Sequence, residues 1–154
     1  MKAPGFTLHD QNNTIHSLED YRGEWLVVYF YPKDSTPGCT KEACAFRDGR
    51  DLLKDAGANI VGISKDSVNS HEKFANNNSL NFTLLSDPTA VVIEAYGAWG
   101  KKKFMGREYM GIKRNTYLIN PNGEIVKTYE NVNPVTHFNE ILTDLNNYIG
   151  KISH

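Results

Sequence analysis

Trp25 to Tyr31 is an unbroken run of apolar and aromatic residues that stops at Pro32. A strand made from such a run has no polar side to turn toward water, so both of its faces need cover. The run is far short of the ~20 apolar residues that span a bilayer, and no other stretch approaches that length. The cover must come from helices elsewhere in the chain. Residues 39–56 have helical composition and close at Gly57, a suitable cap. Asp66 or Ser67 can start a second helix running to about residue 77. Asp87-Pro88 opens a third over 89–96, with the proline near its first turn. Pro134 precedes a fourth, reaching about residue 148, with Val135, Phe138, Ile141, Leu142 and Leu145 at helical spacing.

Strand patterns alternate with these helices at 59–64, 81–85, 115–119 and 124–129. The last two flank Asn120-Pro121-Asn122-Gly123, the strongest hairpin signal in the chain. Residues 6–8 and 14–16, joined by Gln11-Asn12-Asn13, read as a further short hairpin. The order is hairpin, β, α, β, α, β, α, β, β, α. It predicts an α/β protein with a central mixed sheet flanked by helices. A thioredoxin-like fold with an N-terminal β-hairpin extension has this order. The 154 residues suit one compact domain, here residues 1–150 with 151–154 as a short tail. Such a domain buries roughly two-thirds of its unfolded surface and needs no disulfide or metal to fold. Seventeen basic and eighteen acidic residues leave a formal charge of −1. That balance gives no electrostatic reason to prefer nucleic acid or an anionic membrane. Lys101-Lys102-Lys103 reads as a solvated loop. The first ten residues hold no apolar core of a signal peptide, so a cytoplasmic location is expected.

Cys39 and Cys44 are the only cysteines. A permanent disulfide is not expected in a reducing cytoplasm. The pair is then inert, metal-bound or redox-active. Cys39 follows the turn Lys33-Asp34-Ser35-Thr36-Pro37-Gly38 and opens the first helix. Sites of open α/β sheets lie at this carboxyl edge of the strands. A helix N-terminus offers unpaired amides and a partial positive charge, and both favour thiolate over thiol. Thr36 can aim its hydroxyl at that sulfur or at a peroxide. Pro32 and Pro37 stiffen the turn and shield the thiolate. On composition alone, a small buried hydrophobe is an equally good reading of Cys39. Cys44 shifts the balance. Five residues along an ideal helix turn by ~500° and rise ~7.5 Å, which separates the two Cα atoms by ~8.6 Å. A disulfide needs less than about 7 Å. The pair can therefore bond only if the helix unwinds. The expected sequence is oxidation of Cys39 to a sulfenic acid by peroxide, unwinding of the first turns, and condensation with Cys44. An external dithiol then reduces the pair.

The segment from Tyr29 through Pro32, Thr36, Pro37, Gly38 and Cys39 to Cys44 closely resembles the active-site segment of peroxiredoxins. It is most similar to the Q-type, or bacterioferritin comigratory protein, subfamily. That signature is Pro, three residues, Thr or Ser, two residues, Cys, and Pro32, Thr36 and Cys39 match it. The likeness extends over almost the whole chain, through residues 82–87, 96–106 and 111–119. It implies a thioredoxin-like fold and a thiol-specific peroxidase of the atypical two-cysteine kind. The resemblance further implies reduction of hydrogen peroxide and organic hydroperoxides in antioxidant defence. Cys39 is then the peroxidatic cysteine and Cys44 the resolving one. Arg114 is the active-site arginine, and Glu42 stands where many relatives hold an acid that orients it. Pro32, Pro37, Gly38 and Glu42 line the substrate pocket. The resemblance also implies thioredoxin or a similar dithiol as reductant, no cofactor, and a monomer or weak homodimer. Gly5 departs from the acidic residue common in relatives, which touches the N-terminal hairpin and not the chemistry.

Three rivals are weaker. Two cysteines five apart do not fit structural-zinc spacing and no second pair exists. His9, His16, His71, His137 and His154 are scattered, so no metal is expected. A general thiol-disulfide oxidoreductase places two residues between its cysteines, and here there are four. A thioredoxin-like binding module with incidental cysteines is separated by peroxide consumption, which would then be equal in wild type and Cys39→Ser.

Overall fold

A computed structural model of the chain describes residues 1–152. Strands β1 (Thr7–Asp10) and β2 (Ile15–Ser17) form the N-terminal hairpin, and a 3₁₀ turn follows at Leu18–Tyr21. The chain then alternates through β3 (Trp25–Phe30), α1 (Pro37–Asp55), β4 (Ala58–Ser64), α2 (Val68–Asn77), β5 (Thr83–Ser86) and α3 (Val91–Ala95). It ends with β6 (Trp99–Phe104), β7 (Arg107–Ile112), β8 (Thr116–Ile119), β9 (Ile125–Tyr129) and α4 (His137–Ile152). Seven strands make one sheet in the order β2-β1-β5-β4-β3-β8-β9. β3, β4 and β5 run parallel, while β1, β8 and β9 pair antiparallel with their neighbours. This is the mixed sheet that the element order predicts.

All six residues of β3 are buried. Successive strand residues point to opposite faces. Trp25, Val27 and Tyr29 therefore pack on one side with Phe46 and Leu53 of α1 and Ile141 and Leu145 of α4. Leu26, Val28 and Phe30 pack on the other with Ile93, Tyr96 and Ile112. Burying a side chain of this size contributes about 1.5–3 kcal/mol. A strand that does so at every position fixes the middle of the sheet, and with it the place where β3 hands over to α1. α1 lies close against α4. A Cβ on Gly49 would stand 2.0 Å from the Phe138 ring, so only glycine admits that ring.

Four expectations need correction. β6 and β7 pair as an antiparallel hairpin where the sequence reading has a loop, so Lys101, Lys102 and Lys103 lie on a strand. The lysines, Gly100 and Gly111 break the period-two apolar pattern that marks strands. The chain reverses at Met105 and Gly106, both in the left-handed region. α1 starts at Pro37, not Cys39, because a proline at the first helical position is pre-set for helix. α3 starts at Val91 because Ala90 is left-handed. α4 starts at His137, which leaves Val135 exposed, and it continues through residues 151 and 152. The short tail is thus partly helix, and Ser153 and His154 lie outside the described residues. Among the described residues no helix is long and apolar enough to cross a membrane.

Candidate active site

β3 ends against β4, and Tyr31 N–H still donates to the Ile63 carbonyl. The loop after it passes through Ser35, a left-handed residue, and reaches Thr36, the N-cap of α1. The first helical bond is Thr40 N–H to the Thr36 carbonyl at 2.9 Å, which the Thr40 hydroxyl also meets at 2.7 Å. The amides of Gly38 and Cys39 therefore lie in the first turn, where helical N–H groups lack intrahelical partners. Cys39 is the third residue of α1 and 1% exposed. It heads the buried stripe Cys39, Glu42, Ala43, Phe46, Gly49 and Leu53.

Arg114 arrives from the other end of the sequence. It lies between β7 and β8 rather than on a strand. Its carbonyl accepts the Val132 amide, and the neighbouring Asn115 carbonyl accepts the Phe30 amide. Those bonds tie the segment to the same edge of the sheet. Arg114 Nη2 donates to Cys39 Sγ at 3.3 Å, and Nη1 donates to Glu42 Oε1 at 3.2 Å. The guanidinium is mostly covered, at 20% exposure. Burial lowers its affinity for a proton, but Cys39 and Glu42 more than offset that and raise it. Glu42 is 1% exposed. Burial pushes its carboxyl up to about 7, against the lowering influence of Arg114. Its second oxygen, Oε2, has no hydrogen-bond partner.

Gly38 lets the arginine approach. A Cβ there would stand 3.2 Å from Arg114 Nη2. The Thr36 hydroxyl donates to the Lys33 carbonyl at 2.9 Å. It is not directed at the sulfur, since a hydroxyl hydrogen already held by a carbonyl has no second one to give. Pro32 is half-buried beside the loop, whereas Pro37 is exposed at the first helical position. Cys44 is half-buried off the core stripe, with Sγ 4.0 Å from Asn78 Oδ1. Both thiols are free on an unbroken helix.

Residues 1–128, most of the chain, match the AhpC/TSA family. The chain belongs to the AhpC/TSA family. Its relatives include peroxiredoxin Bcp of Escherichia coli K12, 44% identical over 140 residues and covering 91% of this chain and 90% of that protein. Peroxiredoxin Bcp of Bacillus subtilis 168 is 43% identical over 144 residues, covering 94% and 92%. A solved structure of the Xanthomonas campestris bacterioferritin comigratory protein, described for its alkyl peroxide reduction, superposes with a TM-score of 0.89. It is 35% identical and covers 94% of this chain and 92% of that one. The resemblance to Q-type peroxiredoxins and the thioredoxin-like fold both stand.

Two groups around this AhpC/TSA site escape sequence reasoning. Asp34 pins the loop before Thr36. Its carboxylate accepts the Tyr31 hydroxyl at 2.6 Å, the Ser70 hydroxyl at 2.8 Å and His71 Nδ1 at 2.7 Å, and its amide donates to Asp66 at 2.8 Å. His71 is fully buried and its Nε2 faces the Leu85 carbonyl at 3.0 Å. The only sequence signal was His71 at helical spacing with Phe74 and Ala75, the apolar face of α2. The second group is Lys102. Its ammonium donates to the Ile112 carbonyl at 2.8 Å. Burial, and after it the charge of Arg114, lowers its proton affinity, against the raising influence of Cys39. The three-lysine run hides it between two exposed neighbours. The arrangement is a covered sulfur at a helix N-terminus beside a fixed planar cation. It suits nucleophilic attack by sulfur on a small electrophile.

Proposed function

We propose that the protein is a thiol peroxidase that reduces hydroperoxides with Cys39. The observation that carries this is the 3.3 Å contact of Arg114 Nη2 with Cys39 Sγ in the first turn of α1. A charge-assisted hydrogen bond of this kind is accepted best by a thiolate. The thiolate attacks one peroxide oxygen, the O–O bond breaks, and the alcohol leaves. Arg114 then holds both the sulfur and the incoming oxygen, and Glu42 keeps the guanidinium in plane. Thr36 acts as an acceptor. With its hydrogen on Lys33, its oxygen lone pairs receive the O–H of the peroxide. Pro32, Pro37 and Gly38 shape the turn around the substrate.

Cys44 resolves the sulfenic acid. The route is the one the spacing imposes: the first turns of α1 unwind, and an intramolecular disulfide forms. Thioredoxin or a similar dithiol reduces it, in the cytoplasm and from a monomer or weak homodimer. The peroxiredoxin names of the relatives support the reaction class. The test is peroxide consumption with thioredoxin and its reductase. Wild type consumes peroxide, and Cys39→Ser does not. Equal rates would overturn the proposal.

A further inference from the structure

Arg114 carries one positive charge and touches two groups that can each be an anion. Cys39 Sγ lies 3.3 Å from one end of the guanidinium and Glu42 Oε1 lies 3.2 Å from the other. Two anions on one largely covered cation leave an uncompensated charge, which is costly for the buried one of the two. Glu42 is the worse placed of the two. It is 1% exposed, and its Oε2 meets no donor. The other groups around it do not help. Tyr29 on β3 has a buried phenol with no partner, and burial followed by Glu42 itself drives that phenol well above its usual range. Lys102 on β6 feels the charges of Arg114 and Cys39 but gives its ammonium to the Ile112 carbonyl. The second anion thus has no cation of its own while the sulfur is a thiolate.

We infer that Glu42 stores the proton that peroxide reduction consumes, staying neutral while Cys39 is a thiolate and ionising against Arg114 once the sulfur is oxidised. This rests on the thiol-peroxidase reading of Cys39. The balance is Cys39–S⁻ + ROOH + Glu42–COOH → Cys39–SOH + ROH + Glu42–COO⁻. The S–O bond forms and the O–O bond breaks. Sulfur loses two electrons, the peroxide gains them, and the departing alkoxide takes one proton. The negative charge moves from sulfur to carboxylate, so Arg114 is never left without an anion and never holds two. Glu42 does not touch the peroxide. It is a positioning residue whose proton reaches the alkoxide by exchange through solvent, which the Arg114 side chain meets at 20% exposure. Its carboxyl, which burial brings to about 7, is poised to change state near neutral pH.

The experiment uses the Cys44→Ser protein, in which oxidation stops at the sulfenic acid. One equivalent of hydrogen peroxide is added in weak buffer with a pH indicator, at a pH just below the value of about 7 for Glu42. With Glu42 present, well under one proton per sulfenic acid is drawn from solvent. Glu42→Gln keeps an acceptor for Arg114 but holds no proton, so it draws a full one. Equal uptake in the two overturns the inference. Infrared difference spectra of the Glu42 protein alone decide the matter if Glu42→Gln does not fold. A protonated-carboxyl band that disappears on oxidation is expected, and its absence from the reduced protein overturns the inference. Thiol titration of the same samples separates the two failures. If the Cys39 thiol survives the peroxide, the peroxidase reading is what fails, and this inference goes with it.

Discussion

Arg114 gives Nη2 to Cys39 and Nη1 to Glu42, two edges of one rigid plane. A lysine ammonium at the same place is a point donor on a shorter reach and cannot serve both. A hydrogen bond to a charged group contributes about 1.5–3 kcal/mol, so Arg114→Lys should slow Cys39 oxidation by about tenfold to a hundredfold. Stopped-flow rates with hydrogen peroxide check this, and an unchanged rate would mean that positive charge alone is enough. Gly38 gives a sharper test, because stability and activity should move apart. Alanine at a helical position is favoured over glycine by about 0.5–1 kcal/mol, so Gly38→Ala should hold or raise the thermal midpoint. Its methyl would stand 3.2 Å from Nη2 and push the guanidinium off the sulfur, so peroxide turnover should fall severalfold. A variant as active as wild type would show that the arginine has room to yield. At this scale the sequence was informative where chemistry dictates residue type. A helix-starting cysteine is visible in a string of letters, and so is its match to a known signature. Asp34 and His71 were not visible as a pair, because 37 positions separate them and nothing local announces a buried contact.

α1 is held differently along its length. From Phe46 onward it is fastened by buried side chains and by the close approach of Phe138 to Gly49. Its first turns bury only the small side chains Cys39 and Ala43 in the core and add polar contacts: Arg114 on Cys39 and Glu42, and Thr40 on the Thr36 carbonyl. Oxidation of Cys39 removes the thiolate's hold on Arg114 from that set and leaves the Glu42 contact as its remaining anion. The start of α1 should therefore open while its later turns stay. Hydrogen exchange followed by mass spectrometry should show amides 39–44 protected in the reduced protein and fast after peroxide, with amides 46–53 slow in both. Cys44→Ser should not lock the open form, since no disulfide traps it. A Cys39–Cys44 disulfide found together with full protection of 39–44 would sink the unwinding step. Element by element, legibility followed local signal. β3 is a continuous apolar run and the β8–β9 turn holds Pro and Gly, so both were read correctly. The β6–β7 hairpin was missed because its exposed face is filled with lysines and its stability comes from pairing across the turn, which composition does not record.

Across the whole molecule, two buried groups pull stability in opposite directions with pH. Burial raises Glu42 from 4.5 to about 7. Between those values the folded chain holds a proton that the unfolded chain has lost, so stability falls as pH rises. Burial lowers His137 from 6.5 to about 4. The ring is 2% exposed, with Nε2 on the Thr116 hydroxyl at 2.7 Å and Nδ1 3.5 Å from Glu140 Oε1 without a hydrogen bond. Here the unfolded chain holds the extra proton between those values, so stability rises with pH and is lost as pH falls toward about 4. Each shift corresponds to about 3 kcal/mol over its full span. Their windows overlap between 4.5 and 6.5, where the two slopes nearly cancel. Asp10 and Asp144, whose carboxyls are lowered from 3.8, act only below that window. Asp87, whose carboxyl burial raises from 3.8, adds a falling slope from below, so urea unfolding of the reduced wild type should change little with pH across the window and lean downward where it changes. Glu42→Gln removes the falling slope and should leave stability that climbs with pH, while His137→Gln should leave the opposite trend. A Glu42→Gln profile as flat as wild type would mean that Glu42 is ionised throughout, with no proton at the site for the sulfur to draw on.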